Sequence, residues 1–111
     1  MKMDLDHLYR ETAHWEATVA LWEGLGFTFA ERWGSTPHRA GRMTAGATAI
    51  VIAEVLPAEE ATDSVFIAVD DLERLAGLVG TPIANTHWGT RMVTITDPDG
   101  RTYNFESGGT T

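Results

Sequence analysis

Apolar residues in the first half of the chain follow first a strand period and then a helix period. The pattern predicts a strand over residues 5–9, followed by a helix that carries Trp15 and Trp22 on one face. Glycine and proline punctuate the segment that follows, and apolar runs of strand length lie between them. Three further strands are therefore predicted, at 27–33, 39–44 and 47–55.

The same order of elements begins again after Pro57. Residues 64–69 form an apolar run of strand length, and Asp70 with Glu73 resembles a capping box at the start of a second helix. Strong turn chemistry at 97–100 separates the last two strands. These closing strands are predicted at 90–96 and 101–106.

Repetition of this order predicts one domain over 1–111, with module one at 1–57 and module two at 63–108. Helices on one side of mostly antiparallel strands give an α+β fold class. Two such halves side by side can curl their strands into a cup. The glycine-rich end, 108–111, is predicted to be a frayed tail.

The composition is that of an ordinary globular protein, with 43 % hydrophobic and 22 % charged residues among 111. The sequence contains no cysteine, which excludes disulfide frameworks, thiolate metal sites and cysteine nucleophiles. It has neither the apolar core of a signal peptide nor an apolar run of membrane-spanning length. We therefore expect a cytoplasmic protein that does not enter a membrane.

The formal net charge is −8 at pH 7. A field of this sign repels phosphate backbones and anionic lipid headgroups, so nucleic acid is a poor candidate partner. The acidic surface either serves solubility alone or attracts a cationic small molecule.

Short motifs spread over nearly the whole chain resemble those of one known group of proteins. The chain resembles the vicinal-oxygen-chelate superfamily, which holds glyoxalase I, ring-cleaving dioxygenases and bleomycin-resistance proteins. Each motif is weak alone, but their order and spacing together are specific. They are Leu5-Asp6-His7-Leu8, Trp22-Glu23-Gly24-Leu25-Gly26-Phe27, Ile67-Ala68-Val69-Asp70-Asp71, Trp88-Gly89-Thr90-Arg91, Asp97-Pro98-Asp99-Gly100 and Tyr103-Asn104-Phe105-Glu106.

The resemblance implies two βαβββ modules that form a cup, within one chain or between the chains of a homodimer. A small organic molecule or a divalent metal ion would bind inside. In members that are enzymes, the metal chelates two neighbouring oxygens of the substrate and acts as a Lewis acid.

The resemblance also implies positions for metal ligands. His7 stands at the first position and Glu54 close to the second, but Ser64 stands where active members often carry histidine. Asn104 replaces a usual glutamate, and Glu106 lies two residues later on the same side of the strand, within about 7 Å. A displaced divalent-metal site of His7, Glu54 and Glu106 is one interpretation. The other is that His7 is a half-buried strand histidine and Glu54 a solvent-facing charge.

Aromatic and apolar side chains are predicted to line the cup. Trp33 and Trp88 lie at strand ends, where an indole can stack on a planar ligand. Tyr9 shares the strand parity of His7, and Phe66 that of Ser64. The predicted ligand-binding residues are Tyr9, Trp33, Ile52, Phe66, Trp88 and Asn104.

The sequence is compatible with three functions, and it does not decide whether the protein is an enzyme. The first is a dimeric, bleomycin-resistance-like protein without cofactor that sequesters an aromatic or cationic compound, as in antibiotic resistance. The second is a glyoxalase-like lyase or isomerase, or a dioxygenase, with a divalent metal ion at His7, Glu54 and Glu106. The third is a regulatory or structural protein that has lost any ligand.

Overall fold

A computed structural model describes residues 1–107 of the chain. The predicted tail at 108–111 and the last residue of predicted module two lie outside the described residues. The chain divides into two compact units. We call His7–Asp63 the α1 unit, and Met1–Asp6 together with the residues from Ser64 onward the α2 unit.

The elements follow the predicted order, with small shifts of their ends. The first strand is longer than predicted, and a two-residue strand precedes the last two. In chain order the elements are β1 (Met3–Thr12), α1 (Trp15–Gly24), β2 (Thr28–Trp33), β3 (Ala40–Ala45), β4 (Thr48–Glu54), β5 (Asp63–Val69), α2 (Leu72–Val79), β6 (Ala84–Asn85), β7 (Arg91–Thr96) and β8 (Thr102–Ser107).

Both units pair their strands in the same way. The α1 unit has the order β2-β3-β4-β1, and the α2 unit has the order β5-β8-β7-β6. In each unit the first strand runs parallel to the last, and the other pairs are antiparallel. The pairing follows from the chain order, because a helix crossover brings a strand back parallel whereas short turns make hairpins.

The core of the α1 unit lies between α1 and the strands. Met43, Ile50 and Ile52 are buried, and Trp15 and Trp22 of α1 pack against them. The Trp15 ring also stacks on Phe29, with ring centroids 6.1 Å apart. Full burial of each of these large strand side chains contributes about 1.5–3 kcal/mol to stability. Because Trp15 and Trp22 cover them, this burial also holds α1 on the strands.

The core of the α2 unit is built on the buried leucines of α2. Leu72 and Leu75 pack against Val69 of β5 and Val93 of β7. The helix is capped by Asp71, whose carboxylate accepts the backbone N–H of Arg74 at 3.1 Å. The prediction of Asp70 as the capping residue was therefore wrong by one position.

The predicted α+β fold class is confirmed. Each unit contributes one helix and a set of mostly antiparallel strands. Within residues 1–107, neither helix is long and apolar enough to cross a membrane.

Close packing at Gly41 generates the first prediction. A Cβ atom there would lie 2.5 Å from the Phe29 ring and 2.8 Å from the Glu31 carbonyl oxygen, whereas a Cβ at Gly77 on α2 meets nothing within 4 Å. We expect Gly41→Ala to lower the free energy of unfolding by about 1–3 kcal/mol through overpacking.

The matched variant Gly77→Ala should raise the free energy of unfolding by about 0.5–1 kcal/mol, because alanine is the better helix former. Urea unfolding followed by circular dichroism measures both changes. Equal effects of the two substitutions would contradict the close approach at Gly41.

Candidate functional site

Strand alternation assigns each side chain of the α2 unit to one of two faces. Ile67, Val93 and Phe105 pack with α2, and they lie side by side on β5, β7 and β8. The residues between them point to the opposite face. We call this second face the platform, and it has two rows of neighbouring residues across the strands. One row is Phe66, Asn104 and Thr94, and the other is Ala68, Glu106 and Met92.

The carboxylate of Glu106 is held in place by two neutral donors. The indole N–H of Trp88 donates to Glu106 Oε2 at 2.8 Å, and the hydroxyl of Thr90 donates to the same oxygen at 2.7 Å. The other oxygen, Oε1, has no hydrogen-bond partner within residues 1–107. Glu106 therefore keeps its negative charge and one acceptor oxygen for another molecule.

Aromatic rings stand beside this carboxylate. The Trp88 ring makes an edge contact with Phe66, with ring centroids 6.4 Å apart, and another with His87 at 4.8 Å. Trp88 is 50 % exposed although it is hydrogen-bonded, so about half of its surface stays accessible to solvent. Phe66 is half-buried in β5.

Asn104 lies on the platform between Phe66 and Thr94. It is only 8 % exposed, and its Oδ1 accepts the hydroxyl of Thr94 at 2.9 Å. This is the one hydrogen bond of the Asn104 side chain in the described part of the chain, so the Nδ2 group has no partner there. No side-chain nitrogen or oxygen among the described residues is both sealed from solvent and unpaired, so Nδ2 is accessible.

A shallow groove of about 220 Å³ adjoins the platform in the α2 unit. Glu106 lines it together with Asp4 and Asp70, and Lys2 is the basic residue among its lining groups. The Lys2 ammonium lies 3.9 Å from the Asp4 carboxylate, and both side chains are exposed. The groove is therefore net negative, with Glu106 shared between groove and platform.

His7 and Tyr9 lie on the face of the α1 unit opposite to α1, because Leu8 between them packs beneath the helix. Nδ1 of His7 lies 3.4 Å from Nη1 of Arg42. The Tyr9 hydroxyl donates to Glu11 at 2.9 Å. Burial and this hydrogen bond to a carboxylate raise the pKa of Tyr9 to about 12.

Glu54 lies on the other face of the α1 unit, on the side of α1. Glu54 pairs with Thr12 of β1, which is four residues from Leu8 and therefore points to the same side of the strand as Leu8. Arg39 binds both carboxylate oxygens, with Nε at 2.9 Å and Nη2 at 2.8 Å, and its backbone N–H adds a third contact. These hydrogen bonds lower the pKa of Glu54 to about 2.

The structure does not bring the predicted metal ligands of the α1 unit together. His7 and Glu54 lie on opposite faces of their strands, and Arg39 occupies Glu54. Glu106 belongs to the α2 unit and is bound by Trp88. Within residues 1–107, no three His, Cys, Asp or Glu side chains are grouped as a metal ion requires. These residues do not fit a divalent metal ion, and Glu54 is not a solvent-facing charge either.

Ile52 differs from its prediction as well. It was expected to line the ligand cavity, but it is fully buried in the core beneath α1. The reason is the register of β1 and β4, which pairs Leu8 with Ile50 and so gives Ile52 the helix side. Trp33 lies at the end of β2 and is 48 % exposed, while Ser64 is half-buried in β5.

Two residues that matter here were missed in the sequence. Thr90 belongs to the Trp88-Gly89-Thr90-Arg91 motif, and the one local signal for it is a hydroxyl two residues after a tryptophan. Arg39 carried no signal, because its contact with Glu54 joins residues 15 positions apart through strand pairing.

Comparison with known proteins bears on the fold. No family model matches the sequence, and no curated protein does. A glyoxalase/bleomycin resistance protein/dioxygenase superfamily member from Vibrio splendidus 12B01 superposes with a TM-score of 0.74 at 13 % identity, covering 96 % of this chain and 99 % of that one. A hypothetical protein from Bacillus halodurans C-125 gives 0.71 at 15 % identity, covering 96 % and 95 %. At these identities the likeness establishes the fold.

The Arg39–Glu54 pair generates a prediction about acid stability. The folded pKa of Glu54 is about 2, below its ordinary value of 4.5. A lowered pKa stabilises the fold above about pH 4.5, and this contribution is lost as the pH falls toward 2. Glu54→Gln should therefore be less stable than the parent at pH 7, and the difference should narrow at pH 3.

Urea midpoints at the two pH values measure this effect. Glu23→Gln is the matched control, because Glu23 is an exposed glutamate on α1 without an ion pair among residues 1–107. The control should follow the parent at both pH values. A constant difference between Glu54→Gln and the parent would show that the ion pair does not carry the stability.

Proposed function

We propose that this chain, which has the fold of the glyoxalase/bleomycin resistance/dioxygenase superfamily, binds a small planar organic cation on the platform of its α2 unit. The observation that carries the proposal is the Glu106 carboxylate, which Trp88 and Thr90 hold with one oxygen open beside two aromatic rings. Binding without chemical conversion, as in sequestration, requires only this affinity.

The chemistry of the platform favours a cation that is also aromatic. A cation near a tryptophan face gains about 0.5–2 kcal/mol. A hydrogen bond to a charged group contributes about 1.5–3 kcal/mol. A ligand that stacks on Trp88 and donates to Glu106 Oε1 collects both terms, whereas an anion of the same shape meets a like charge.

The surroundings of Glu106 support the same sign of charge. Asp4 and Asp70 line the adjoining groove, where Lys2 is the basic lining residue, and the whole chain carries a formal charge of −8. Such a field raises the local concentration of cations and their association rate, and salt screens it.

The metal-dependent alternative has less support. His7 and Glu54 lie on opposite faces in the α1 unit, and the guanidinium of Arg39 already satisfies both oxygens of Glu54. A carboxylate bound in this way would have to give up a charged partner before it could bind an ion. Glu106 is held by neutral donors and has no such cost.

Binding of proflavine, a planar aromatic cation, tests the proposal. We expect saturable binding, followed by dye fluorescence, that weakens about tenfold or more in Glu106→Gln. The glutamine keeps an acceptor oxygen for Trp88 and Thr90, and it replaces the open, charged oxygen by a neutral amide nitrogen. Binding to the parent should also weaken as salt rises from low to physiological concentration.

Glu60→Gln is the control, because it removes an equal charge from an exposed residue of the β4–β5 connection. It should bind the dye like the parent protein. An aromatic anion, 1-anilinonaphthalene-8-sulfonate, should bind poorly to all three proteins. Equal dye affinity in the parent and in Glu106→Gln would refute the proposed site.

A further inference from the structure

Asn104 has hydrogen-bonding capacity that the protein leaves unused. It is 8 % exposed, yet its Nδ2 group has no partner within residues 1–107. Polar groups of nearly buried side chains in native proteins are paired as a rule with protein, water or a ligand. The Nδ2 group is accessible, so a bound molecule can satisfy it.

Thr94 fixes which end of the Asn104 amide is available. Its hydroxyl lies 2.9 Å from Asn104 Oδ1 and donates to it. The carbonyl end is therefore engaged, and the amide presents its N–H donors to the platform. A partner for these donors must be a hydrogen-bond acceptor, such as a carbonyl oxygen.

Glu106 presents the opposite chemistry two residues further along β8. Residues two apart on one strand share a face and lie about 7 Å apart. The platform thus offers a donor at Asn104 and an anionic acceptor at Glu106, and Phe66 and Trp88 supply rings beside them.

We infer that the ligand of this site is an aromatic molecule with a carbonyl acceptor about 7 Å from its cationic group. The carbonyl accepts the Asn104 amide, the cation meets Glu106, and the ring between them lies against Phe66 and Trp88. This inference rests on the proposed function, because it presumes that the platform binds a cation.

Three small probes separate the two ideas. 4-(Aminomethyl)benzamide carries an ammonium and an amide carbonyl at opposite ends of one ring, benzylamine lacks the carbonyl, and benzamide lacks the cation. Ligand-observed NMR titration of the full chain should rank 4-(aminomethyl)benzamide about three- to tenfold tighter than benzylamine, the factor of one neutral hydrogen bond. Benzamide should bind most weakly.

Asn104→Leu removes the donors and keeps the approximate shape of the side chain. We expect the preference for the amide-bearing probe to disappear in this variant, so that the two amines bind it equally. Thr94→Val, at an exposed position, removes the hydroxyl that orients the Asn104 amide and leaves Asn104 itself unchanged. It should reduce the preference for the amide-bearing probe.

The side-chain amide signal of Asn104 gives a readout in the unaltered protein. It should shift downfield on titration with 4-(aminomethyl)benzamide, as a newly hydrogen-bonded donor does, and show no such downfield shift with benzylamine. Equal affinity of the two amines for the parent, with a silent Asn104 signal, would overturn this inference and leave the proposed function standing. Failure of both amines and of proflavine to bind would overturn both.

Discussion

Leu8, Ile50 and Ile52 lie beneath α1, and each commits its neighbours along the strand to the opposite face. Ile67, Val93 and Phe105 do the same beneath α2. Because strand side chains alternate with a period of two, no polar residue can change face without moving the core by one position. The hydrophobic pattern therefore decides which functional groups can meet.

Glu54 and Glu106 lie at or near strand ends, and both were predicted to be metal ligands. Their different hydrogen-bond partners give the two carboxylates different roles. Glu54 shares the side of α1 and is bound by a guanidinium, which neutralises its charge and lowers its pKa. Glu106 shares the side of Asn104 and accepts an indole N–H and a hydroxyl, which are neutral. One carboxylate stabilises the fold, and the other keeps a charge that a ligand can use.

Alternation within a strand could be predicted from the sequence, but register between strands could not. The common side of Asn104 and Glu106 follows from their spacing alone. The sides of His7 and Glu54 depend on the pairing of Leu8 with Ile50, which joins residues more than 40 positions apart. The element order and fold class were predictable because turn residues and apolar periods are local signals. The Arg39–Glu54 contact was not, because it exists only after β3 and β4 pair.

The turn that carries Trp88 explains how the platform can keep its shape before any ligand arrives. Thr86 and Thr90 close this turn through their backbone groups at 2.9 Å and through their hydroxyls at 2.8 Å. Thr90 then anchors the turn to Glu106, and the indole N–H bonds the same carboxylate oxygen. A ligand that meets an ordered indole and an ordered carboxylate loses less free energy to side-chain ordering. The same hydrogen bonds leave Oε1 as the acceptor, so order and selectivity for a cation arise from one set of contacts.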